Sequence, residues 1–252
     1  GSDALIGPPA CVRVDVWAFA KPKPSGGDGG RVTRGLQALY TFEEGRGALV
    51  RDVSGAGTAL NLTIGDSGAV RWVAGGLVIR SGTQLVSTAP AGKLVEAANR
   101  SQEFTLEAWV RPATSGRERG SLFALAKAPA TVALALGQVR DRFALFQVAS
   151  GRTVDWLATP GQAASGALLH IVYTRDQAGM LRAYVNGVEV ARRDLGSRAL
   201  GWDASLPLTL ANVPGGRFPW LGEFQLAAFY GRRLSAAEVQ RNFNAGPGGA
   251  QK

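Results

Sequence analysis

His170 and Cys11 are the only residues of their kinds in this 252-residue chain, so any Ser/His/Asp or Cys/His nucleophile has one imidazole to draw on. One of each cannot build a His-Glu-x-x-His zinc site or a closed His/Cys cluster. His170 lies within the run Leu169 to Thr174, where an imidazole hydrogen-bonded inside a sheet is the expected role. Carboxylates are the other candidates for chemistry. A nucleophile and an acid need about 5–5.5 Å between them, and two residues of spacing on a strand put both on one face. Glu43 and Glu44 are adjacent and point apart, while Glu103 and Glu107 flank Thr105 with nothing acidic between. An active pair would have to be recruited from distant strands, Glu107 with Asp155 or Asp203. The expectation is therefore a chain that is not an enzyme.

Aromatic rings supply a different chemistry, because the C–H face of a pyranose stacks on an indole while its hydroxyls take hydrogen bonds from fixed polar groups. Trp156, Trp202 and Trp220 fall at or near expected loops, with Asp203 beside Trp202 and Arg217-Phe218-Pro219 before Trp220. A buried indole closing a sandwich edge is the competing role for Trp202 and Trp220. Trp72 and Trp109 read as core.

The elements that would position these residues are strands. Leu168 to Arg192 alternates apolar and polar residues through three runs, with Leu169, Ile171 and Tyr173 on one face and His170, Val172 and Thr174 on the other. Asp176-Gln177-Ala178-Gly179 makes the first turn. Asn186-Gly187 makes the second, since an Asn-Gly pair accepts positive φ at both central positions of a two-residue hairpin. Similar runs fall near 36–42, 60–64, 70–73, 76–80, 84–87, 104–111, 120–126, 131–138, 142–149, 153–158, 206–211 and 221–230. Two helical pieces interrupt them, 93–99 and a segment from Ser235 to about Phe243. Ser235 and Glu238 have capping-box spacing.

Residues 12–20 also alternate, and Lys21-Pro22-Lys23-Pro24 followed by Ser25-Gly26-Gly27-Asp28-Gly29-Gly30 reads as a stiff, then flexible linker. Residues 1–30 are thus expected to be an N-terminal strand and linker, either an extra edge strand or the tail of a preceding domain, and 31–252 the main domain. Gly1-Ser2 reads as a cloning remnant, which places any signal peptide outside the sequence. No run of about 18 apolar residues is present, so no membrane-spanning helix is expected. The 34 glycines suit a fold with many tight turns.

The net charge of +9 comes from 28 basic and 19 acidic residues, and 23 of the basic ones are arginines. Such a surface is suited to attract acidic polysaccharide, anionic lipid or nucleic acid, and arginine favours planar carboxylate or phosphate groups. Spread along the whole chain, the arginines also read as dispersed solubilising charge. No recognition helix, zinc-finger spacing or aromatic-rich ribonucleoprotein motif is present, so nucleic acid is not an expected partner. A single cysteine excludes an internal disulfide.

His170, Thr174, Arg175 and Asp176, with Tyr184-Val185-Asn186-Gly187, resemble the signature of laminin G-like domains in the concanavalin A-like superfamily. Four further stretches agree in order. Leu39 to Gly45 resembles the opening strand, followed by Arg51-Asp52-Val53-Ser54-Gly55. Phe104 to Val110 with Arg111-Pro112 resembles the central strand, Leu221 to Tyr230 the last strand, and Leu234 to Val239 the start of the closing helix.

The resemblance covers roughly residues 36–246 and implies an all-β, two-sheet antiparallel jelly-roll sandwich with a short C-terminal helix. It further implies a non-catalytic carbohydrate- or protein-binding module, for adhesion or accessory binding, in a larger exported bacterial protein with a covalently attached neighbouring domain. A structural module packing on that neighbour and an atypical glycoside hydrolase or lyase are the alternatives. The implied ligand, a polysaccharide of acidic character or another protein, would meet Trp156, Arg175, Trp202, Asn212, Arg217 and Trp220. A structural Ca²⁺ would take hard oxygen ligands from Glu43, Asp52 and Ser54, although Gly222-Glu223-Phe224-Gln225-Leu226 lacks two carboxylates that relatives often carry there.

Overall fold

The computed structural model describes residues 30–113, 119–128, 131–149, 153–161 and 166–248. The strand expected at 12–20, and nearly all of the linker after it, lie outside these residues. The described chain forms sixteen strands and two α-helices. In order they are β1 (Leu36–Tyr40), β2 (Leu49–Val50), β3 (Leu62–Ile64), β4 (Val70–Val73), β5 (Gly76–Ile79), β6 (Leu85–Ser87), α1 (Gly92–Ser101), β7 (Phe104–Pro112), β8 (Arg119–Ala128) and β9 (Thr131–Val139). There follow β10 (Arg142–Ala149), β11 (Thr153–Ala158), β12 (Leu169–Arg175), β13 (Met180–Val185), β14 (Val188–Asp194), β15 (Leu208–Leu210), β16 (Gly222–Tyr230) and α2 (Ala236–Ala245).

Two eight-stranded antiparallel sheets stack as a jelly-roll sandwich. One runs β14-β13-β12-β7-β16-β5-β4, with β1 also paired to β16, and the other runs β11-β10-β9-β8-β15-β6-β3-β2. The alternation read from the sequence decides what faces what. Leu169, Ile171 and Tyr173 enter the core between the sheets with Phe104, Leu125, Leu145 and Phe229. His170 and Val172 face outward. The Asn-Gly hairpin forms as expected, with φ +51° at Asn186 and +81° at Gly187.

The outer face of the first sheet is covered rather than solvated. Trp109, Val172, Tyr184, Leu226 and Tyr230 pack there with Val32, Leu234 and Val239, the last from α2. The capping box forms: the Ser235 hydroxyl accepts from the Glu238 N–H at 3.3 Å and Glu238 accepts from the Ser235 N–H at 2.8 Å. The helix seals this face because its apolar stripe needs cover.

The outer face of the second sheet carries only a small apolar cluster of Ala124, Ala126 and Val213, with Val132 and Ala135 against it. Among the described residues no helix lies over it. Two short elements among the described residues escaped the sequence reading, the 3-10 turn Ser67–Ala69 and β2, whose two residues are too few to show a period.

Candidate functional site

The uncovered face of the second sheet holds an open trough of about 510 Å³, and its shape follows from residue size at each register position. One cross-strand row reads Ser121, Gly137, Ala144 and Ala158 over β8 to β11, so its floor is made of small side chains. The neighbouring row reads Ala124, Ala135, Phe146 and Trp156, and its two aromatic members form a wall. Val213 and Phe218, from the segment after β15, line the opposite side.

Glycine at two positions makes the close packing possible. A Cβ on Gly120 would come within 2.9 Å of the Trp220 backbone, and one on Gly137 within 2.8 Å of the Gly120 carbonyl oxygen. The segment beside the trough is tied to β8, because the Ser121 N–H donates to the Phe218 carbonyl at 2.8 Å.

Of the six residues expected to meet a ligand, Trp156 is the one placed directly in the trough. It is 49% exposed, with the Arg193 guanidinium 5.8 Å from its ring centroid. Arg217 is exposed next to Phe218. Asn212 is buried and holds the segment in shape, its Oδ1 accepting from the Val213 N–H at 2.9 Å and the Phe218 N–H at 3.0 Å. Trp220 is 2% exposed: its indole N–H donates to Gln138 at 2.9 Å, and its ring packs 4.7 Å from that of Phe224.

Trp202 is 6% exposed, donates to the Val148 carbonyl at 3.1 Å and packs against Phe104. Arg175 is fully buried, donating to the carbonyls of Gln102 and Arg198. As ligand-stacking or anion-binding groups Trp202, Trp220 and Arg175 are thus corrected to structural ones. Both indole N–H groups are already used, as are two of the three Arg175 guanidinium nitrogens, which is how a sandwich accommodates large amphipathic side chains. Phe146, Phe218 and Ser121 were missed. Their signal was the register that sets a row of small residues beside a row of aromatic ones, and register is visible only once strands are paired.

The carboxylates do not converge. Glu107, on β7, lies beneath α2, where it accepts from Arg31, from His170 Nε2 at 2.9 Å and from Asn242 at 2.7 Å, with Tyr230 Oη at 3.3 Å. Burial pushes this carboxyl up, but Arg31 and His170 outweigh burial and bring it to about 2. Asp155 belongs to the other sheet and pairs with Arg198 at 3.2 Å, while Asp203 is exposed and caps its own turn by accepting from Ser205. Glu107 is committed to neighbours inside the fold, and among the described residues neither Asp155 nor Asp203 joins it to flank a glycosidic bond.

The three oxygens expected around calcium do not form a shell for it. Asp52 Oδ1 accepts from the N–H groups of Leu39 at 3.1 Å and Ser54 at 3.0 Å. Its Oδ2 accepts from the Leu60 N–H at 3.0 Å and Lys93 Nζ at 2.6 Å. Lys93 also donates to the Ala56 carbonyl at 2.7 Å, so an ammonium stands where a cation would bridge carboxylate and carbonyl. Burial pushes Asp52 up, but Lys93 and these backbone donors hold it below the ordinary value. Ser54 Oγ donates to the Gln37 carbonyl and Glu43 is exposed.

Residues 80–240 match a laminin G family model described as concanavalin A-like lectin/glucanases superfamily. No curated protein sequence matches. Among solved structures, the binding domain of a botulinum neurotoxin of serotype D/C superposes with a TM-score of 0.62 at 12% identity, over 84% of this chain and 52% of that one. A botulinum neurotoxin type C structure, for which cell entry is described as dependent upon interaction with two ganglioside molecules, gives 0.62 at 12% identity over 84% and 51%. The type G receptor binding domain gives 0.59 at 12% identity over 82% and 50%. The chain spans about half the length of these structures, and at this identity the likeness is one of fold.

Proposed function

This chain belongs to the concanavalin A-like lectin/glucanases superfamily as a laminin G-like member, and from that premise we propose that it is a non-catalytic recognition module of a larger, exported protein. Its ligand is taken on the outer face of β8 to β11. The observation that carries this is Trp156: a large aromatic side chain left half exposed beside a formed trough, on the one broad sheet face that no described element covers. A single exposed ring would mean little, but Trp156 continues into the groove lined by Phe146 and Phe218, and a contiguous apolar groove of this kind marks an interaction site.

Two ligand sources fit that surface. A sugar ring can stack on Trp156, with the surrounding arginines favouring an acidic residue. An apolar or aromatic side chain of another protein can occupy the same wall. The engaged state of Glu107 and the separation of Asp155 and Asp203 from it support binding without hydrolysis, and the ganglioside interaction described for one fold neighbour makes acidic glycans worth testing.

The test is a glycan array of neutral and acidic polysaccharides, probed at low and physiological salt with the native chain and Trp156→Ala. Saturable binding that survives salt and is lost in the variant supports the reading. Adhesion to every polyanion that vanishes at physiological salt reflects only diffuse arginine charge and counts against it.

A further inference from the structure

The trough is too poor in polar groups to be a site for a sugar alone. Beyond Ser121, its floor is Gly137, Ala144 and Ala158 and its wall Ala135, Phe146 and Trp156, none of which offers a polar side-chain atom except the Trp156 indole N–H. Gln138 lines it too, but both ends of its amide are used, by Trp220 Nε1 at 2.9 Å and by the Arg140 carbonyl at 2.8 Å. A pyranose lying here would bury hydroxyl groups without partners, which is costly. An alkyl chain would bury none.

One buried polar atom in the trough is without a partner among the described residues. Ser121 is 5% exposed, and its Oγ has no hydrogen-bond partner among the described residues. Arg119 lines the trough two residues earlier on β8, so the two share a strand face. Arg217 stands exposed beside Phe218 at the same end, which is joined to β8 through the hydrogen bond from Ser121 to Phe218. Neither arginine is paired with a carboxylate among the described residues. A free hydroxyl donor and two guanidinium groups at one end of an apolar trough make an anchor for a planar anion.

The length of the trough also points to a chain. Four strands at about 4.8 Å spacing make a row roughly 14 Å long, close to the extended length of a dodecyl chain. Its volume lies within the range of small-molecule sites.

We propose that the trough binds a single-chain fatty carboxylate. The tail lies along the row Gly137, Ala144 and Ala158 against Phe146 and Trp156, and the carboxylate sits at Ser121 and Arg119, with Arg217 at the rim. This rests on the reading of the same sheet face as the recognition face.

The experiment titrates the whole chain with dodecanoate below its micellar concentration, by calorimetry and tryptophan fluorescence, beside dodecyl maltoside and acetate. One dodecanoate per chain is expected, with acetate not binding and the neutral-headed maltoside at least tenfold weaker. Arg119→Gln and Ser121→Ala each weaken dodecanoate by roughly tenfold. Ala158→Leu, which fills the floor, abolishes it while the thermal midpoint stays near native. Trp156→Phe keeps the wall and removes the fluorescence change.

Equal binding of dodecanoate and dodecyl maltoside, indifferent to Arg119, overturns the carboxylate anchor. Glycan binding lost in Trp156→Ala together with no dodecanoate binding overturns this proposal and leaves the recognition face standing. No ligand of either kind, with Trp156→Ala silent, overturns both.

Discussion

His170 Nε2 lies 2.9 Å from Glu107 Oε1, and both side chains are fully buried. The sole histidine of the chain is thereby assigned to architecture. Burial lowers its pKa despite the carboxylate beside it, so the ring is neutral and the carboxylate fixes its proton on Nε2. Its other face stacks on Trp109 at 4.9 Å between centroids, and Phe243 of α2 packs on Trp109 at 5.7 Å. Glu107 gathers further contacts from Arg31, just after the linker, and from Asn242 in α2. One buried carboxylate thus clasps both ends of the described chain onto the first sheet, which leaves the second sheet as the one with an open face among the described residues.

Glu107→Gln leaves the Arg31 guanidinium buried without its counter-ion. Breaking one side of a buried pair costs about 3–5 kcal/mol, so the urea midpoint should fall sharply. Adding Arg31→Met removes the orphaned charge and should recover part of the loss. A double variant no more stable than Glu107→Gln would show that the pair is not what holds the clasp.

The same pair makes the fold acid-sensitive, with one sign for both groups. Glu107 sits at about 2 against an ordinary 4.5, so its contribution is complete above 4.5 and is lost as pH falls toward 2. His170 is lowered from 6.5: below 6.5 the unfolded chain takes up a proton that the folded chain refuses, so stability falls there as well. Unfolding midpoints should be flat between pH 7 and 8 and decline steadily from about 6.5 downward. His170→Gln, which keeps a donor for Glu107, should remove the upper part of that decline. A midpoint that rises from pH 7 to pH 5 would contradict both assignments.

Legibility in the sequence divides along a physical line. Strand positions and the Leu169/His170 alternation could be read because a period of two is local, and the Asn186-Gly187 hairpin because its backbone demands those residues. The site was only partly legible. Trp156, Trp202 and Trp220 look alike in sequence, yet one is half exposed and two are buried, because what distinguishes them is the partner available to each indole N–H across the sandwich. Ser121 and Gly137 gave no signal at all, since their meaning arises from being neighbours on paired strands.

Asp52 and Lys93 yield a prediction about metal. With Nζ already 2.6 Å from Oδ2, millimolar calcium or its chelation should leave the melting midpoint of the native chain unchanged. Lys93→Met leaves Asp52 with its three backbone donors and no cation, costing about 1–3 kcal/mol. Differential scanning calorimetry with calcium and with chelator reads both effects. A rise of several degrees on adding calcium to the native chain would sink the idea that the ammonium has taken the cation's place.

The tryptophans decide whether binding can be tested without disturbing the fold. Trp220 is fully enclosed, hydrogen-bonded to Gln138 and packed on Phe224, and its ring lies where a Cβ on Gly222 would come within 2.5 Å. Cutting it to alanine opens a large cavity, and Trp220→Ala should cost about 3–5 kcal/mol. Any ligand lost with it could simply be fold lost with it. Trp156 has half its surface in water and pairs with Phe146 across β10 and β11, a contact worth about 0.2–1 kcal/mol. Trp156→Ala should therefore shift the urea midpoint by that small amount while removing the wall of the trough. If Trp156→Ala instead proves as damaging as Trp220→Ala, Trp156 is a packing residue, and the open face of the second sheet loses its strongest claim to recognition.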